Sequence, residues 1–137
     1  MDTTEYFQPG MRNEKTYTIE DEHTAIHVGS GASRVLATPW MIAFMERVSH
    51  QLLAKHLPEG YSSVGVLVNV RHLAPTPVGE SVRIITEISA IDGSRITFNV
   101  QAWDKSEQVG SGQHERVVID EARFLRRVSA KRDATGS

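Results

Sequence analysis

Three side chains in this chain have types and spacing that could do chemistry: Thr38, Glu46 and His72. Glu46 lies in the most apolar stretch, beside Ile42, Phe44 and Met45. A carboxylate rarely enters such a surface without a partner. Partly desolvated, it could act as a general base or a nucleophile. The alternative is that it points to solvent or pairs with His50, four residues on. Thr38 precedes Pro39. A hydroxyl followed by proline reads as a helix N-cap and first helical residue. The same helix start offers free N–H groups and a positive dipole end to a developing oxyanion. Thr38 and Glu46 are eight residues apart, about 80° around a helix axis, so they can border one site. His72 ends a valine-rich segment just before a proline loop. A histidine there is either structural or placed for binding on a rigid element.

Other chemistries are poorly supported. The chain has no cysteine, which removes thiolate nucleophiles, disulfides and Cys-ligated metals together. His23 and His27 are four apart but lack a third ligand nearby, so no metal site is expected. Gly29-Ser30-Gly31 and Gly110-Ser111-Gly112 lack the strand-to-helix context of a dinucleotide fingerprint. The first reads as a loop, the second as a bulge or close backbone approach. No serine sits in a nucleophile elbow. A net charge of −2 gives no electrostatic reason to bind nucleic acid. No apolar run is long enough to span a bilayer. The opening residues lack the layout of a signal peptide, so a cytoplasmic protein without membrane association is expected.

The elements that must position these residues form one domain of 137 residues. Residues 15–132 are expected as its core, with flexible ends at 1–14 and 133–137. Met41, Ile42, Met45, Val48, Leu52 and Leu53 recur at helical spacing and predict one long helix over about 40–57, ended by Pro58-Glu59-Gly60. Residues 63–72 predict a strand with Val64, Val66, Val68 and Val70 on one face. Pro75 and Pro77 mark a loop. Strands over 81–91 and 95–103 flank Asp92-Gly93, a hairpin signal. A further strand follows over 108–119, and 15–20 supplies one more near the start. Arg123, Arg126, Arg127, Lys131 and Arg132, with no acid among them, read as a solvated tail or an anion site. The pattern is α+β, with a mainly antiparallel sheet and one long helix. An antiparallel sheet wrapped around a central helix is the hot-dog fold.

At this point the residues resemble a known family, the fluoroacetyl-CoA thioesterase-like hot-dog proteins. The resemblance is carried by residues 37–46 (ATPWMIAFME), by Val64-Gly65-Val66 leading to His72, by residues 74–79 (APTPVG) and by residues 110–116 (GSGQHER). The intervals Thr38 to Glu46, Gly65 to His72 and His72 to Arg116 all match the family's pattern. The resemblance implies hydrolysis of a small acyl-CoA thioester, with catalytic positions at Thr38, Glu46 and His72. It implies a glycine at Gly65 whose backbone faces the substrate carbonyl, and an arginine at Arg116 that supports the site or contacts CoA. It implies no cofactor, and a homodimer with sites at or near the subunit interface. The fluoroacetyl-specific members carry aromatic gate residues in a longer segment before the helix. Here residues 23–36 hold no Phe, Trp or Tyr, so the reaction class carries over and that substrate does not. Arg71, Arg116 and the C-terminal basic cluster are the candidates for the CoA phosphates. A non-catalytic CoA-ester or acyl-binding module is the alternative on the same fold. A hydratase or dehydratase is a third, and its acid–histidine motif is absent.

Overall fold

The computed structural model describes residues 1–134. In chain order the elements are β1 (Arg12–Thr18), α1 (Ala25–Val28), α2 (Thr38–Ala54), β2 (Tyr61–His72), β3 (Ser81–Asp92), β4 (Arg95–Trp103), β5 (Gln108–Asp120) and α3 (Glu121–Ala134). The strands form one antiparallel sheet in the order β1-β3-β4-β5-β2. The long helix α2 touches all five strands, so the sheet curls around it as the hot-dog fold requires.

The apolar period of α2 explains this. Met41, Phe44, Met45, Val48, Leu52 and Leu53 are buried. They meet Val82, Ile84 and Ile88 of β3, Ile96, Phe98 and Val100 of β4, and Val109 and Val118 of β5. Each large side chain buried this way contributes about 1.5–3 kcal/mol. Tyr17 of β1 stacks on Phe44 at 4.1 Å between ring centroids, which fastens the far sheet edge to the helix.

Four sequence expectations are adjusted. The hairpin turn is Gly93-Ser94, one residue later than expected, because Asp92 pairs with Arg95 across it. Gly93 holds φ +59° at the first turn position, as a type II′ turn demands. The first strand is β1 (Arg12–Thr18), shifted toward the N-terminus because its register against β3 runs from Arg12 to Thr18. Residues 1–14 are not loose throughout, since Thr3 and Phe7 are buried. The basic segment after Asp120 forms α3, with Asp120 Oδ1 accepting from the Arg123 N–H at its start. The expected flexible end at 133–137 lies mostly outside the described residues. Among the described residues, no helix is long and apolar enough to cross a membrane.

Candidate active site

The site depends on a fault in the β2 alternation. Gly65 pairs with Arg116, yet Leu67 pairs with Glu115, so one extra residue is inserted at this β-bulge. Residues directly opposite in an antiparallel ladder share a face. Ser63, Gly65, Val68, Val70 and His72 therefore share the inner face with Val118, Arg116, His114, Gly112 and Gly110. Val64 is turned outward, so the expectation of four valines on one face is corrected by the bulge. The effect on the site is direct. Gly65 and His72 are an odd number of residues apart and would face opposite ways on a regular strand. The inserted residue brings both to the side of α2.

Thr38 and His72 form the first group. The helix begins one residue earlier than expected: Ala37 is the N-cap, with no side-chain cap, and Pro39 occupies the first turn. Thr38 is thus released from capping. Its Oγ1 lies 2.7 Å from His72 Nδ1, and the two share a hydrogen. His72 Nε2 is buried without a partner among the described residues. Burial holds His72 below the ordinary histidine value, with the Ala74 backbone acting in the opposite direction. The ring is therefore neutral at pH 7 and able to take a proton. The pair lines a cleft of about 360 Å³ whose other walls include Leu36, Leu73, Ala74 and Pro75.

Glu46, Gly65 and Arg116 form the second group. Glu46 Oε2 lies 3.6 Å from Arg116 Nη1, with the carboxylate side chain 43% exposed and the guanidinium 8%. His50 does not pair with Glu46; its Nδ1 lies 3.4 Å from Ser63 Oγ. A Cβ built on Gly65 would stand 2.7 Å from Glu46 Oε2. Only a glycine lets the strand backbone come this close to the carboxylate. Arg116 is held by Ser63, donating from Nε to Oγ at 2.8 Å and from Nη2 to the carbonyl at 3.1 Å. Arg116 is buried and faces Glu46 rather than solvent. One further buried polar side chain, His114, joins this group through Arg116. Sequence reasoning missed it. The available signal was its place two residues before Arg116, on the same side of a β-strand.

Within one chain the two groups stay apart. Among the described residues no hydrogen bond or ion pair links them. Gly65 and His72 are separated by seven residues of extended strand, roughly 20 Å. Thr38 and Glu46 are separated by about 12 Å of helix. The backbone thus holds the two groups well apart along both elements.

With this geometry in hand, comparison with known proteins decides the family. The family model for the fluoroacetyl-CoA-specific thioesterase matches residues 19–122, which span α2 and all strands but β1. The chain belongs to the fluoroacetyl-CoA-specific thioesterase family. It is 36% identical over 100 residues to the fluoroacetyl-CoA thioesterase of Streptantibioticus cattleyicolor, covering 73% of this chain and 72% of that one. A solved structure of a fluoroacetyl-CoA thioesterase superposes with a TM-score of 0.86 at 30% identity, covering 91% and 97% of the two chains. A hot-dog-like protein from Thermanaerovibrio acidaminovorans superposes with a TM-score of 0.89 at 27% identity, covering 96% and 97%. In this chain the loop after α1 holds only small residues from Gly29 to Ser33. That loop leads to Leu36 and Ala37, which help wall the Thr38–His72 cleft.

Proposed function

We propose that the chain hydrolyses a small acyl-CoA thioester to a carboxylate and CoA, working as a cytoplasmic homodimer. The observation that carries this reading is the pairing of functional groups on one sheet face. A helix-start hydroxyl shares a hydrogen with a neutral imidazole, and a carboxylate sits against a glycine backbone and a buried guanidinium.

The chemistry follows from those groups. A thioester carbonyl is weakly resonance-stabilised. Either the Glu46 carboxylate or a water it deprotonates adds to the carbonyl carbon, and the π pair moves onto oxygen. The Gly65 backbone and the positive end of α2 stabilise that oxyanion. As the carbonyl re-forms, the C–S bond breaks, and the neutral His72 ring relays to the departing thiolate the proton that the attacking water gives up. If Glu46 attacked directly, water then cleaves the resulting anhydride. Thr38 orients the imidazole.

The homodimer reading rests on β2, which ends the sheet with a long unpaired edge. Val66, Leu67 and Val68 are exposed along it, and Leu73 just past its end. An exposed apolar edge is a template for another strand. A two-fold partner paired antiparallel along it runs the Gly65 end of one strand toward the His72 end of the other. Glu46, Gly65 and Arg116 of one copy then meet Thr38 and His72 of its partner. With Arg116 turned to Glu46, Arg71, Arg123 and Arg127 are the candidates for the CoA phosphates; Arg123 and Arg127 line a cleft of about 470 Å³ with Tyr61 and Phe124.

Thiol release from a series of acyl-CoA chain lengths tests the activity, and a mixing experiment tests the composite site. Glu46→Ala and His72→Ala homodimers should each be inactive. Refolded together, they form heterodimers in half of the population, each with one intact site, so about a quarter of wild-type activity returns. Tight binding of acyl-CoAs with no thiol release by the wild-type chain would favour the non-catalytic module. An active wild type whose two variants fail to complement would place each site within one chain.

A further inference from the structure

His114 lies on the inner face of β5, is 1% exposed, and has no role in the chemistry above. Its two ring nitrogens have partners that leave one assignment. Nδ1 lies 2.8 Å from the Leu67 carbonyl, which can only accept. Nε2 lies 3.3 Å from Arg116 Nη1, which can only donate. The ring is therefore the neutral Nδ1–H tautomer, donating to Leu67 and accepting from Arg116. Burial, first, and the Arg116 charge both hold it below the ordinary histidine value, against Leu67, Glu46 and Glu115, which act in the other direction.

The two partners matter because of where they sit. Leu67 is the residue at which the β2 register resumes after the bulge that turns Gly65 inward. Arg116 Nη1 is the atom that also faces Glu46. The ring further approaches Gly65 itself: His114 Cε1 would be 3.3 Å from a Cβ at that position. Ser63 grips the guanidinium from the other side. A single side chain thus bonds the bulge and the arginine and borders the space beside Gly65.

We propose that His114 is a positioning residue, which locks the β2 bulge to Arg116 and so sets the Gly65 backbone and the Glu46 carboxylate in one fixed relation to the acyl carbonyl. This rests on the reading of Glu46 and Gly65 as catalytic. A site held by such a clamp loses rate steeply on small displacements, about 100-fold for an ångström. Loss of the clamp should therefore act on turnover and spare the cleft that binds the rest of the substrate.

The test uses the full chain and a short acyl-CoA that the wild type hydrolyses. His114→Phe fills the same space beside Phe98 and removes both hydrogen bonds. It should lower kcat by about 10- to 100-fold with KM changed less than about threefold. His114→Gln, which keeps one donor and one acceptor, should recover part of that loss. Ser63→Ala, which loosens the same guanidinium from its other side, should lower kcat in the same way, and it serves if the phenylalanine variant does not fold. Unchanged kcat in a folded variant overturns the proposal. So does a fall in melting temperature and a rise in KM that glutamine does not correct, which would mark His114 as packing alone. A wild type without thioesterase activity would instead overturn the functional reading beneath it.

Discussion

Gly65→Ala separates stability from catalysis at one atom. Gly65 lies within β2, and its φ is outside the left-handed region, so the backbone accepts an alanine without strain. Glycine inside a strand costs about 0.5–1 kcal/mol relative to alanine, so the fold should be held or improved. The added methyl, however, meets Glu46 Oε2 at 2.7 Å and must push it to ordinary contact near 3.4 Å. His114 Cε1 at 3.3 Å and Arg116 Nη1 at 3.4 Å block the other directions. The carboxylate is the half-exposed, flexible member of the set, so it yields, by about 0.7 Å. A misplacement approaching an ångström costs about 100-fold in rate, or about 2.7 kcal/mol of barrier. The assay is thiol release from a short acyl-CoA at saturating substrate, paired with a thermal melt. The expected result is a melting temperature equal to or above wild type with kcat down 30- to 100-fold, as an order of magnitude. Turnover within threefold of wild type would refute the claim that the Glu46–Gly65 contact is tuned for catalysis.

Two further outcomes follow from other parts of the molecule. His50, His72 and His114 are all held below 6.5, in each case chiefly by burial. The unfolded chain takes up those protons near pH 6.5 and the folded chain only at lower pH, so the unfolded state binds more protons between the two. Stability should therefore fall as pH drops from 7 through 6 toward 5.5, read as a falling melting temperature; a flat or rising profile would contradict the burial of these rings. Val66 is 48% exposed on the open β2 edge. Val66→Lys should shift the molar mass by light scattering from dimer to monomer and abolish thiol release while circular dichroism stays unchanged; an active monomer would overturn the composite site.

The fold was legible where local signals are strong. Pro39 and the apolar period gave α2 to within three residues at its end, and the paired strands around Gly93 were placed to within a residue. The residues of the site were legible by type and interval, but their grouping was not. Thr38 looked like a cap because a hydroxyl before proline usually is one, and only the approach of His72 from a distant strand redirects it. The four valines of β2 alternate perfectly in the sequence, yet the inserted residue puts Val64 and Val68 on opposite faces. Gly65 is the one local mark of that insertion, and its place is set by pairing with β5. His114 stayed hidden for the same reason. Its face and partners depend on a register that exists only once the sheet has formed.

The bulge also acts on the chain as a frameshift acts on a message. Residues before Val66 and residues after it are each in phase with their own half of β5, and the phase changes at that point. Deleting one residue there would lengthen the regular ladder, normally a gain in a β-sheet. It would also rotate everything from Tyr61 to Gly65 by half a turn, sending Ser63 and Gly65 to solvent and Val64 inward. The strand would look more regular, and Arg116 would lose its grip. Length variation in β2 is therefore closed to this chain in a way that substitution is not.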